Sequence, residues 1–198
     1  MTLDQLPEDI RSKYEVHEWK HACAVLASDF PGQFSDIIKI LRRFSLTKKA
    51  ILAPGGGISS ISQWFNKQFR EAGWEEHSFD TKIVVDKKEA NTPTHKVDCV
   101  KGKVALEIEW SNKDPFYDRD LNNFRLLFDL RAISVGVIIT KADELSTVFK
   151  GLGDKVWNKY GWSTTWMKKL LPRIDGGGGG GCPILVFGIA KKAYNERA

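Results

Sequence analysis

Apolar and aromatic positions Trp19, Cys23, Val25 and Leu26 recur at helical spacing, and Pro31-Gly32 follows as a stop, so a first helix is predicted over residues 8–29. A second helix, over 35–44, opens at Ser35, a good N-cap, and carries Ile37, Ile38, Ile40 and Leu41 as its stripe. The run Ala50-Ile51-Leu52 reads as a short extended piece that ends at Pro54-Gly55-Gly56-Gly57. A third helix starts at Ser59 or Ser60, uses Ile61, Trp64, Phe65 and Phe69, and stops at Gly73, a C′ glycine. The period then changes to two. Strands are predicted over 79–86, 92–100 and 103–110, with Lys101-Gly102 as the turn between the last two. Residues 116–132 form an amphipathic helix through Leu121, Phe124, Leu127, Phe128 and Leu130. The stretches 133-ISVGVIIT-140 and 183-PILVFGIA-190 are fully apolar, as central strands covered on both faces are. Between them lie a helix-rich, Trp-rich segment over 143–171 and six glycines at 176–181. No repeat and no linker separates two cores. The reading is one α/β domain over 1–198, a mixed central β-sheet flanked by helices.

Composition narrows this little. A chain of 198 residues, 42% hydrophobic, can bury about 70% of its unfolded surface in one core. The net charge is +5, from 30 Lys and Arg against 25 Asp and Glu, which suits a polyanion without requiring one. Cys23, Cys99 and Cys182 form no CxxC, which argues against a disulfide framework and a structural zinc site. No stretch approaches the roughly 20 apolar residues of a membrane span, and MTLDQLPEDIRSKYE has no apolar signal core. A cytoplasmic protein with no membrane partner is therefore expected. His17 and His21 stand one turn apart on the predicted first helix and read as solvated histidines rather than metal ligands. The six glycines lack the context of a dinucleotide or phosphate loop. They read as a long connection, the other reading being a flexible segment near a nucleic acid.

The acids are more informative, because they cluster. The segment 98-DCVKGKVALEIE-109 puts Asp98, Glu107 and Glu109 into an otherwise apolar hairpin. With Lys101-Gly102 as a two-residue turn, Asp98 pairs with Ala105 and Lys96 with Glu107, so Lys96, Asp98, Ala105, Glu107 and Glu109 share one face. Asp98 and Glu107 become diagonal neighbours, roughly 7 Å apart at the backbone. Three ionised carboxylates on a partly buried face need a proton or a cation. Oxygen-only ligands suit a hard ion, Mg²⁺ or Mn²⁺. The competing reading is the solvated side of a sheet, neutralised by Lys96 and Lys103. A three-residue turn with Gly102 as a bulge would flip Asp98 to the other face.

The spacing Asp98, eight residues, Glu107, one residue, Glu109 resembles the catalytic core of PD-(D/E)XK nucleases, with Glu in place of the usual Lys. The string 106-LEIEWSNKDPFY-117 is similar to the matching segment of BglII/BstYI-like restriction endonucleases, and the Glu-x-Glu ending to their BamHI relative. The stretches 50–74 and 131–145 fit the same family in order. The resemblance implies a homodimeric type II restriction endonuclease. It would cut both strands of double-stranded DNA at a short palindrome, with a GATC-centred site of six base pairs suggested. Products would carry 5′-phosphate and 3′-hydroxyl ends, and a cognate DNA methyltransferase would protect the host. Asp98 and Glu107, with the Ile108 carbonyl, would ligate Mg²⁺. Glu109 would orient the attacking water or reach a second ion. The family's further polar or acidic residue, on the helix upstream of the Asp, falls among Glu75, Glu76 and His77, with Glu76 preferred.

By the same resemblance Ser111 and Asn112 would lie in the major groove, where Asn suits adenine's N6/N7 edge; otherwise they form a polar turn before the next helix. Lys113 is a base or phosphate contact or a solvated lysine. DNA-recognition segments are expected around 111–115 and 141–182, where Lys155, Lys159, Lys168, Lys169 and Arg173 mix with Trp157, Tyr160, Trp162 and Trp166. The alternative for the latter is an amphipathic segment with its aromatics in the core. The helix over 116–132 either builds a two-fold dimer or packs on the sheet. Two rival functions remain: a structure-specific repair or junction nuclease of the same fold, and a catalytically silent DNA-binding protein.

Overall fold

The computed structural model describes residues 2–54 and 57–196, without the side chains of 2, 83–85 and 90–93; Gly55 and Gly56 of the expected glycine stop lie outside it. The first helix expected over 8–29 is three elements: α1 (Glu8–Lys13), β1 (Tyr14–Trp19) and α2 (Ala22–Asp29). Lys20 and His21 take positive φ, 55° and 56°, and turn the chain between strand and helix. β1 is an edge strand whose partner comes some 170 residues later, so local periodicity could not reveal it. Helix α3 (Pro31–Arg43) starts at Pro31, not Ser35: the proline expected to stop one helix opens the next, with its fixed φ in the first turn. After β2 (Leu46–Thr47), residues 48–52 form helix α4 (Lys48–Leu52), not extended chain; Thr47 caps it by accepting from the Ala50 N–H. Helix α5 (Ser60–Glu71) has the expected Ser59 cap. It ends with Gly73 at φ +81°, where the Trp74 N–H reaches the Phe69 carbonyl and the Gly73 N–H that of Arg70.

The strand expected over 92–100 is split. β3 (Glu75–His77) is followed by β4 (Asp80–Val85) and β5 (Lys88–Pro93), which form a separate two-stranded ribbon. β6 (Val97–Lys101) and β7 (Val104–Ile108) then form the acidic hairpin. Helix α6 (Pro115–Asp129), β8 (Val135–Lys141), helices α7 (Leu145–Gly151), α8 (Asp154–Tyr160) and α9 (Met167–Asp175), β9 (Ile184–Ile189) and a short β10 (Tyr194–Asn195) complete the chain.

Six strands make one mixed sheet in the order β1-β9-β8-β7-β6-β3. β7, β8 and β9 run parallel; β1, β6 and β3 are antiparallel to their neighbours. Both faces are covered, as the fully buried β8 and β9 require. Val104, Leu106, Ile108 and Trp110 face one core, with α1–α5, α7 and α8. Ala105, Ile138, Ile184 and Val186 face the other, closed by Tyr117, Leu121, Phe124 and Leu127 of α6 and by α9. Each fully buried Val, Leu, Ile or Phe among them contributes roughly 1.5–3 kcal/mol. The Trp-rich segment packs into the core: Trp110, Phe149, Tyr160 and Trp166 are buried with edge-to-face contacts, and the half-buried Trp157 and Trp162 meet edge to face, with Trp162 tilted against Trp166. The glycine run is a connection packed on α6. A Cβ on Gly180, whose φ is +57°, would stand 2.4 Å from Arg125 Cγ, and one on Gly178 2.8 Å from the Arg173 carbonyl.

Candidate active site

The β6–β7 register sets Cys99 opposite Leu106, Val100 opposite Ala105 and Lys101 opposite Val104. The turn is therefore Gly102-Lys103, and each partner moves two residues from the expected pairing. An even shift keeps every side chain on its expected face. Continued one step, the register puts Asp98 opposite Glu107 rather than diagonal to it. The ladder does not continue there in the usual way. Asp98 Oδ2 accepts from the Ile108 N–H at 3.0 Å, and Glu107 Oε2 accepts from the Asp98 N–H at 3.3 Å. Side-chain carboxylates stand where carbonyl oxygens would pair the strands.

Asp98, Glu107 and Glu109 thus converge on the face that α6 covers. Glu107 and Glu109 are each 1% exposed. A fourth acid joins them: Asp120 of α6, fully buried. Sequence reasoning passed over it, yet there was a signal. Asp120 falls in the helix stripe Tyr117, Leu121, Phe124 and Leu127, at the spacing of a buried position. Arg119 comes with it. Its Nε and Nη2 donate to Asp120 Oδ1 at 2.9 and 2.7 Å, and Nη2 lies 3.8 Å from Glu109 Oε1.

Burial, then Asp120 and Asp98, push Glu107 well above the usual carboxylate range. Burial, then Asp120, push Glu109 up to about 9. Asp120 is raised by burial to about 6 and held lower than Glu109 by Arg119. Burial also raises Asp98, against the pull of the Ile108 N–H and Arg119. The centre is therefore short of positive charge. Glu107 Oε1, Glu109 Oε2 and Asp120 Oδ2 are buried without a hydrogen-bond donor among the described residues. In kind, an all-oxygen set with orphaned oxygens fits a hard divalent cation. In position it is not a closed cage: among the described residues no three Asp, Glu, His or Cys side chains stand ready to hold an ion.

The other expected residues are more dispersed. Glu75, Glu76 and His77 sit on strand β3 beside β6, not on a helix. Glu76 is exposed, and its Oε2 pairs with Lys96 Nζ at 2.7 Å; Lys96 therefore serves Glu76 and not Glu107. Asn112 turns inward, donating from Nδ2 to Glu109 Oε1 at 3.0 Å. Ser111 is half-buried and Lys113 exposed. In the 141–182 segment most cations are already engaged. Lys169 binds Asp114 at 2.7 Å, Arg173 binds Asp118 at 2.8 Å, and Lys159 donates to the Ala53 carbonyl at 2.6 Å. Lys155 is exposed. His17 lies on β1 and pairs with Glu15 at 2.8 Å, so the two histidines do not share a helix face.

Two further groups were not foreseen. Lys141, at the end of β8, is fully buried, donates to the Trp110 carbonyl and lies about 5 Å from the Trp110 and Trp166 rings. Burial pushes its ammonium well below the usual lysine range, against the pull of Glu109. Tyr117 and Thr140 share a buried hydroxyl hydrogen bond at 2.6 Å.

The family model for restriction endonuclease BglII/BglIII matches residues 14–189, which is 176 of the 198 residues. The chain belongs to the BglII/BglIII restriction endonuclease family. It is a type II site-specific deoxyribonuclease, and its substrate is DNA. The matched span runs from the first residue of β1 to the last of β9, so it takes in the whole six-stranded sheet and all four clustered acids of this BglII-family chain. No curated protein sequence matches the chain. Among the described residues no helix is long and apolar enough to cross a membrane.

Proposed function

We propose that this BglII-family enzyme is a Mg²⁺-dependent nuclease that cuts both strands of a short palindrome, with Asp98 and Glu107 as its central carboxylates. The observation carrying this is the meeting of Asp98 and Glu107 across the β6–β7 hairpin, each with one oxygen on a backbone N–H, and Glu107 Oε1 left without a donor among the described residues. Asp98, Glu107 and the Ile108 carbonyl would hold the ion. Bound there, Mg²⁺ supplies neutralisation of phosphate charge and a lowered pKa for water. Glu109, fixed by Asn112, orients the attacking water or reaches a second ion. Glu76, next to Asp98 on the neighbouring strand, is the outer acid that Lys96 holds in place.

Ser111, Asn112 and Lys113 follow β7 directly and would reach the DNA as one short segment. The engagement of Asn112 Nδ2 with Glu109 couples base reading to the catalytic acids. A GATC-centred site, a homodimer matching the palindrome's two-fold axis, 5′-phosphate and 3′-hydroxyl ends, and a partner methyltransferase belong to the same reading.

Purified protein should cut unmodified plasmid DNA into discrete fragments with Mg²⁺ and leave it intact in EDTA. Mapping the ends gives site and polarity, and sedimentation gives the oligomeric state. Plasmids left whole across a panel of sequences would sink the reading. Cutting of junctions alone would favour a structure-specific nuclease.

A further inference from the structure

The acids at the junction of β6, β7 and α6 present a difficulty to the substrate, because a phosphodiester is itself an anion. Arg119 is placed to meet it. The guanidinium is fixed on two sides: Asp120 Oδ1 takes Nε and Nη2, and the Phe116 ring lies 4.2 Å beneath. Its side chain is 29% exposed, whereas those of Glu109 and Asp120 are 1% and 0%. Arg119 therefore forms the boundary between the buried acids and solvent. Nη1 makes no hydrogen bond to protein among the described residues.

Three neighbouring cations are committed elsewhere. Lys141 is sealed between two indoles on the Trp110 carbonyl. Lys169 is bound by Asp114 and by the Trp162 and Thr164 carbonyls. Lys96 faces Glu76.

We propose that Arg119 is a catalytic residue of this nuclease, donating through Nη1 to a non-bridging oxygen of the scissile phosphate, with Asp120 and Phe116 as its positioning residues. The proposal rests on the nuclease reading above. A guanidinium stays charged throughout, presents donors in a planar fork, and is here already anchored. No bond at Arg119 forms or breaks. It contributes because negative charge on those oxygens grows toward the transition state, where a fixed donor acts more strongly than in the ground state.

The test is single-turnover cleavage of a plasmid that the wild-type chain cuts, alongside DNA binding in EDTA. Arg119→Ala should slow cutting by about 10²-fold, the usual effect of losing one such donor, with metal-free binding changed only a few-fold. Added guanidinium ion, below denaturing concentrations, should restore part of the rate to Arg119→Ala and none to wild type. Because Arg119→Ala leaves the Asp120 charge buried and unpaired, the double variant Arg119→Ala/Asp120→Asn keeps the test sound; it should fold and stay equally slow. A folded single or double variant that cuts at the wild-type rate overturns the proposal. So does a slow variant that guanidinium fails to rescue and that has lost metal-free binding in proportion. A wild-type chain that cuts nothing sinks the nuclease reading and this proposal together; cutting by wild type and variant alike sinks this proposal alone.

Discussion

Asp98 holds the Ile108 N–H with one oxygen, and Glu107 holds the Asp98 N–H with one of its own. Alanine at either position removes a strand-closing bond as well as a charge. Asp98→Asn and Glu107→Gln keep a carbonyl-type acceptor and remove only the group that can ionise to hold a cation. Both should fold like wild type in a thermal melt yet lose cleavage on the order of 10³-fold, the equivalent of several kcal/mol of charge stabilisation. Glu109 gives a pH signature in metal-free protein. Its folded value is about 9 against an ordinary 4.5, so the folded state keeps a proton that the unfolded chain sheds. Stability from this group therefore falls as pH rises through that window. In EDTA, Glu109→Gln should lose less of its thermal midpoint than wild type between about pH 5 and about pH 9. A variant that tracks wild type across this range would contradict the placement of Glu109. The three hairpin acids were legible because strand alternation puts 98, 107 and 109 on one side whatever the even register. Asp120 was not read, because an acid on a helix is usually solvated, and its partners are thirteen and eleven residues away on another element.

Among elements, legibility followed the range of the interaction that makes each one. Helix α5, with Ser59 before it and Gly73 after it, is specified by its own caps. Strand β1 is specified by β9, and α4 by the packing of Ile51 in the large core, so a local pattern misassigned both. The apolar runs of β8 and β9 were readable because burial on both faces leaves no polar positions to confuse. Their packing against α6 is close: a Cβ on Gly136 would lie 2.4 Å from Phe124 Cδ2. Gly136→Ala should cost about 1–3 kcal/mol in denaturant unfolding by lifting α6 from the sheet. Since α6 also carries Arg119 and Asp120, cleavage by this variant should drop well below wild type even where it remains folded.

At the scale of the whole molecule, the count of 30 Lys and Arg overstates what is available to DNA, because Lys169 and Arg173 are paired with acids and Lys159 is tied to a carbonyl. Lys113 and Lys155 are exposed and, among the described residues, form no ion pair, so they can meet phosphate. Lys113→Ala and Lys155→Ala should each lower the slope of log affinity against log salt by about one, read in EDTA, whereas Lys169→Ala should leave the slope alone and lower stability. The order of the sheet has a consequence for synthesis. β9 is the last of its six strands to be made, yet it lies between β1 and β8. Until residue 189 has left the ribosome, the N-terminal strand has nothing to zip onto. The sheet beside the four acids therefore closes only once β9 has been made.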